Sequence, residues 1–160
     1  MKIASPKLQT AHLTANDEAV RRCEAALEQY DKGDYKGAQE VMRRLWRGVG
    51  KRPKTKGLHP SVAAEVLLCV GTLTGWIGSQ IQLKEAQETA KNLITESITY
   101  FESERDLKKV AAARVELAYC YWRAGELNEA RVMLREALQK LTTEGTTRAR
   151  AITKLVIIEN

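Results

Sequence analysis

The chain has 160 residues, 44% of them hydrophobic and 29% charged, with a formal net charge of +6. That balance suits one soluble domain with a continuous core. Three prolines, one phenylalanine and abundant Ala, Leu, Glu, Lys, Arg and Gln favour helix and exclude a hairpin-built β protein. The three cysteines, Cys23, Cys69 and Cys120, lie far apart and within helical apolar patterns, which excludes a disulfide framework and predicts reduced core thiols. The first residues, MKIASPKLQTAHL, lack the apolar run of a secretory signal, so the expected location is the cytoplasm.

Residues 1–13 carry little pattern, and fraying or an extra turn both remain open. Thr14 and Asp17 have the spacing of a capping box, which starts a helix running to about Asp31. A second helix is predicted from about Asp34 to Arg47. Residues 48–58, GVGKRPKTKGL, combine glycines, Pro53 and four basic residues, and read as an exposed connection. Pro60 fits the first position of a third helix, expected to run to Gly78. Val66 to Leu83 contains 18 residues without a charge, near the lower limit for a membrane span. Its Gly71, Gly75 and Gly78, with several Thr, Ser and Gln, make it a better buried helix than a lipid-facing one. Further helices are predicted over Leu83 to Ser103, Arg105 to Ala124 and Glu126 to Thr142, and a last one from about Thr147 to Glu159.

The stretch from Val115 to Leu141 organises the others. Leu117, Ala118, Tyr121 and Trp122 form one apolar stripe; Ala130, Leu134, Ala137, Leu138 and Leu141 form another, and Gly125 stands between them. A glycine there ends the first helix in a left-handed cap and reverses the chain, so the stripes face each other. Small Ala118 and Ala130 fall where the helices cross. The spacing of small and large residues from Leu117 to Ala137 resembles the tetratricopeptide repeat. A second copy runs through Ala26, Tyr30, Gly33-Asp34-Tyr35, Ala38 and Met42, and a weaker one through Gly71, Gly78, Leu83, Ala86, Ala90 and Leu93. The resemblance therefore implies an all-α chain of three elongated repeats, at about residues 16–47, 60–103 and 105–142, plus a terminal helix, wound as a right-handed superhelix with turn glycines at Gly33, Gly78 and Gly125. Parts of the chain are also similar to the amino-terminal part of long bacterial repeat proteins thought to act in regulation.

Enzyme signatures are missing from the sequence. His12 and His59 stand alone, and no Cys-x-x-Cys, His-Glu-x-x-His, Gly-x-Ser-x-Gly or Walker loop occurs. Neither a catalytic group, a metal site nor a cofactor is expected. The strongest charge feature is the acid-free basic stretch Arg43, Arg44, Arg47, Lys51, Arg52, Lys54 and Lys56. Without these seven, 19 of the 26 basic residues remain against 20 acidic ones, so the excess charge is local. A solvated loop is the simpler reading; phosphate contacts with nucleic acid, or an acidic protein partner, are alternatives. Trp46, within the stretch, suits either a stacking role or the core.

By resemblance, the first helices of successive repeats line a concave groove that holds a partner's extended segment or helix. The positions carried over are Leu27, Tyr30, Asp31, Thr72, Trp76, Tyr119, Trp122 and Arg123, although each aromatic also suits the core. Chaperone-binding family members grip a terminal carboxylate with lysines and asparagines; here the asparagine slots hold Leu27, Thr72 and Tyr119, which argues against that clamp. The expected role is thus a non-enzymatic protein-interaction scaffold, acting through its groove or its open C-terminal face. Ile152, Leu155, Val156 and Ile158 lack an evident partner helix. A longer array, an inward-packed cap or a homodimer contact would each account for them.

Overall fold

Seven helices, and no strand, make up the regular structure of residues 13–160, the part of the chain that the computed structural model describes. They are α1 (Ala15–Asp31), α2 (Tyr35–Met42), α3 (Pro60–Gln80), α4 (Ala86–Ser103), α5 (Leu107–Arg123), α6 (Leu127–Lys140) and α7 (Thr146–Glu159). The all-α expectation holds. The expectations placed on residues 1–12, including His12, lie outside the described residues. Thr14 opens α1 with the full capping box, its hydroxyl accepting from Asp17 N while the Asp17 carboxylate accepts from Thr14 N. Asp34 and Asp106 cap α2 and α5 by accepting from Gly37 N and Lys109 N.

Four reversals use one device. A residue with positive φ follows the helix end, and the next N–H donates to the carbonyl five residues back: Asp34 to Gln29, Leu83 to Gly78, Asp106 to Phe101, and Glu126 to Tyr121. Gly33 (φ 76°) and Gly125 (φ 82°) hold the left-handed position as expected. The third expected glycine does not. Gly78 lies inside α3 and is buried, while Gln82 (φ 56°) makes the turn, as Arg105 (φ 55°) does between α4 and α5. Gly78 is needed for another reason: a Cβ there would stand 2.1 Å from the Ala86 Cβ, and one on Gly71 would stand 2.6 Å from Ile94 Cγ1. The two glycines let α3 and α4 cross at a distance no larger residue allows.

Helices pair in sequence, α1 with α2, α3 with α4 and α5 with α6, and the odd-numbered helices also touch one another in order, α1 to α3 to α5 to α7. This places α3 between two pairs. Twelve of its residues are buried, and 67% of its most apolar window is enclosed by protein. A helix surrounded on all sides needs no polar face, which accounts for its membrane-like length and composition. The core falls into three clusters, centred on Trp46, Leu73 and Ile77; on Ile94, Phe101 and Leu117; and on Val115, Leu134 and Ala151. Ala118 and Ala130 are fully buried at the α5–α6 crossing, as their spacing predicts.

Two expectations need correction. Helix α2 stops at Met42 rather than Arg47, and the connection after it is only partly exposed: Trp46 is 1% exposed and Pro53 is buried. The Trp46 indole N–H donates to the Lys51 carbonyl (3.0 Å), and Lys54 N donates to Leu45 O (2.7 Å), folding the basic segment back onto its own hydrophobic anchor. In α7, Ile158 is buried, which takes it out of any exposed self-association face, and Leu155 is half-buried against the same core. Only Ile152 and Val156 of the four, joined by Ile157, face outward.

Candidate functional site

Four of the eight expected groove residues, Tyr30, Tyr119, Trp122 and Arg123, come together beside cations of α7. Arg150, on α7, points back across the molecule and donates to the Tyr30 hydroxyl on α1 (3.1 Å), while ion-pairing with Glu116 on α5. Its guanidinium lies 5.6 Å from the Tyr30 ring and 4.9 Å from the Tyr119 ring, and the Tyr119 hydroxyl donates to the Arg150 carbonyl (3.2 Å). One turn on, the Lys154 ammonium lies 3.3 Å from the centre of the Trp122 ring and 4.7 Å from that of Tyr119. Arg123 approaches the same Tyr119 ring at 5.6 Å. Tyr119 and Trp122 therefore do not present bare aromatic faces; the α7 cations cover them.

Electrostatics follow from this crowding. Burial works against the Arg150 charge, but Glu116 outweighs it and raises the Arg150 pKa further above its ordinary value. Lys154 has no carboxylate to help it, and burial together with the positive charges of Arg123 and Arg150 lowers its pKa. Tyr30 and Tyr119 are shifted up, chiefly by burial. The Cys120 thiol beneath them is pushed up to about 12 by burial, so it is a protonated core group.

Arg123 has a seat built for it. A Cβ on Gly75 of α3 would stand 3.0 Å from Arg123 Nη1, 3.2 Å from Cys120 Sγ and 3.2 Å from Gln87 Oε1, so the missing side chain is the space the guanidinium uses. Gln87, 8% exposed, donates from Nε2 to Gly75 O (2.7 Å) and leaves Oε1 without a donor. An open cavity of about 510 Å³ adjoins this point, lined by Ser79, Gln82, Leu83, Lys84, Gln87 and Arg123 among others, with no acid in its wall.

The remaining expected groove positions divide. Leu27 and Asp31 are exposed, and with Tyr30, Glu116 and Arg150 they border a smaller hollow of about 220 Å³. Thr72, expected to line the groove, is only 5% exposed and contributes no more than the hollow's floor. Trp76 is half-buried, with edge-to-face contacts to Tyr30 (4.7 Å) and Tyr35 (6.2 Å) that fix it between α1 and α2. Sequence reasoning missed Arg150, Lys154 and Gly75. The only signal in the chain was the pair of basic residues at i and i+4 on a helix otherwise notable for its isoleucines.

The basic side chains of residues 43–56 stay at the surface and are not among the residues that line either cavity. Arg43 pairs with Glu40, Arg44 with Glu18, and Arg52 makes two hydrogen bonds to Glu96 (2.8 and 2.7 Å). Arg47, Lys51, Lys54 and Lys56 are without an acid among the described residues, and Lys51, Lys54 and Lys56 are exposed. Trp46 is inside the core and offers no stacking platform. Among the described residues, no group of three His, Cys, Asp or Glu side chains is placed to hold a metal ion. Compared with protein-family models, curated proteins and solved structures, the chain matches none.

Proposed function

We propose that the chain is a tetratricopeptide-like solenoid and acts as a non-enzymatic scaffold, holding a segment of a protein partner on the face shared by α1, α3, α5 and α7. The observation that carries this reading is the meeting of Tyr30, Tyr119, Trp122, Arg123, Arg150 and Lys154 from three helices on one partly open face. Aromatic rings and arginines combine large contact area with directed charge, the composition that dominates binding energy at protein interfaces. The contacts running from each odd-numbered helix to the next support the superhelical arrangement implied by the resemblance. Similarity to bacterial regulatory repeat proteins is compatible with a cytoplasmic regulatory role, without importing any DNA-reading element.

The test is capture of a protein or peptide partner by the wild type and by Tyr119→Ala with Arg123→Glu. Loss of capture by a variant that retains its helical signal and unfolding midpoint supports the groove, and equal capture by both removes it. The alternative, nucleic-acid binding through Arg47, Lys51, Lys54 and Lys56, predicts affinity that falls steeply with salt. The burial of Trp46 leaves that reading with charges alone.

A further inference from the structure

Two cations on the proposed binding face stand without counter-charges. Arg123 is half-buried and Lys154 only 8% exposed, yet neither makes an ion pair among the described residues. The first twelve residues contain no Asp or Glu and so have no acid to offer. The one carboxylate in the cluster, Glu116, is already committed to Arg150. Holding like charges together and half out of water is unfavourable unless something negative arrives. Beside Arg123 lies the acid-free cavity, whose wall adds Lys84, the Gln82 and Gln87 amides and the Ser79 hydroxyl. The hollow on the other side of Arg150 carries Asp31 and Glu116, so charge along the face is polarised.

Resting on the scaffold reading above, we infer that this end of the face recognises an acidic segment of a protein partner, one side-chain carboxylate entering the cavity to pair with Arg123, while Lys154, outside the cavity wall but against the same Tyr119 ring, adds its positive charge. A guanidinium fixed on the Gly75 seat offers a planar fork of N–H donors suited to a carboxylate. Leu83 and the amides provide contacts for the flanking backbone and side chains of a peptide. A nucleic-acid backbone would instead call for a row of exposed cations, and those lie on the basic segment 43–56, none of whose cations line this cavity. The site differs from a terminal-carboxylate clamp in using cations from α5 and α7 over aromatic rings, not asparagines on successive first helices.

The experiment is random-peptide display selected on the full chain, followed by affinity measurement of the enriched peptides. The expected result is enrichment of Asp and Glu over the starting library, with affinity falling by about tenfold or more in Arg123→Gln/Lys154→Gln, the scale of a lost charged hydrogen bond. Lys54→Gln/Lys56→Gln should leave it within about twofold, as for exposed charges. The charge-keeping pair Arg123→Lys/Lys154→Arg, a control against misfolding, should bind more tightly than Arg123→Gln/Lys154→Gln but below wild type, since it keeps the charge and loses the guanidinium fork at position 123. Peptides that need Tyr119 but show no acidic bias would overturn this inference and leave the scaffold reading standing. Acidic peptides bound equally by Arg123→Gln/Lys154→Gln would place recognition elsewhere and overturn it as well. Recovery of no peptide sensitive to Tyr119→Ala would remove both.

Discussion

Tyr30 and Arg150, 120 residues apart, are joined by a hydrogen bond of 3.1 Å that ties the last helix to the first. Arg150 is held from its other side by Glu116, whose side chain is 12% exposed. The two partners should differ in cost. Tyr30→Phe removes one hydrogen bond and is expected to lower stability by about 1 kcal/mol. Arg150→Met strands the Glu116 carboxylate, and about 2 kcal/mol or more is expected, between the values for exposed and buried pairs. Adding Glu116→Gln to Arg150→Met should recover part of that loss. Urea denaturation of the three variants checks the order; equal losses for Tyr30→Phe and Arg150→Met would show that the ion pair contributes nothing.

The glycines of α3 predict a graded response. Alanine is favoured over glycine in a helix by about 1 kcal/mol. At Gly78 the added methyl meets the Ala86 Cβ at 2.1 Å, and only a separation of α3 from α4 relieves the clash. Overpacking of this kind costs about 1–3 kcal/mol, so Gly78→Ala should destabilise despite its helix propensity. At Gly75 the nearest atom is the tip of the flexible Arg123 side chain, at 3.0 Å. Gly75→Ala should therefore be the milder of the two in thermal unfolding while impairing peptide binding through the displaced guanidinium. A Gly78→Ala protein as stable as wild type would contradict the close crossing.

Lys154 should titrate at lower pH than an ordinary lysine, because burial and then the charges of Arg123 and Arg150 oppose its ammonium. Its folded pKa lies below the unfolded value, so the unfolded chain binds more protons between the two. The charge thus costs stability at neutral pH, and the cost is relieved as pH rises from the folded value to the unfolded one. Arg123→Gln removes one repelling charge and should move the Lys154 pKa upward, toward the ordinary value. A carbon-detected NMR titration of the Lys154 side chain reads both. An unshifted Lys154, or a downward move in the variant, would be inconsistent with the cluster as described.

Glu96 anchors the basic segment. Its hydrogen bonds from Arg52 hold the carboxyl below the usual carboxylate range. The resulting stabilisation is present above the unfolded value of 4.5 and is lost as pH falls through the lower folded one. Both side chains are about half exposed, so Glu96→Gln should cost less than about 1 kcal/mol at neutral pH and nothing in strong acid. Limited proteolysis should nick the variant faster at Lys51 and Lys54. A variant cut no faster than wild type would mean that Trp46 and Pro53 hold the segment without help from this pair.

The helices were legible because their signals are local: the Thr14–Asp17 box, Pro60, and the Gly33 and Gly125 reversals each act within a turn of the chain. Gly78 misled because glycine serves two purposes, positive φ and close approach, and only the neighbouring Ala86 tells which. Gln82 and Arg105 take left-handed φ values that their residue types do not announce. The site was half legible. Analogy of position points to Tyr30, Tyr119, Trp122 and Arg123, but the pattern of α7 announces only its apolar residues and not the cations that meet those four. Arg150 meets Tyr30 across 120 residues of chain, a long-range contact that no local pattern encodes.

The central claim is that the face shared by α1, α3, α5 and α7 is where a partner binds. Backbone amide NMR of the full chain, titrated with a peptide selected on it, tests that most directly. The account predicts shifts concentrated at Tyr30, Tyr119, Arg123, Arg150 and Lys154, with α2 and α6 little changed. Shifts confined to α2, α6 or the basic segment 43–56, with those five residues unmoved, would contradict it.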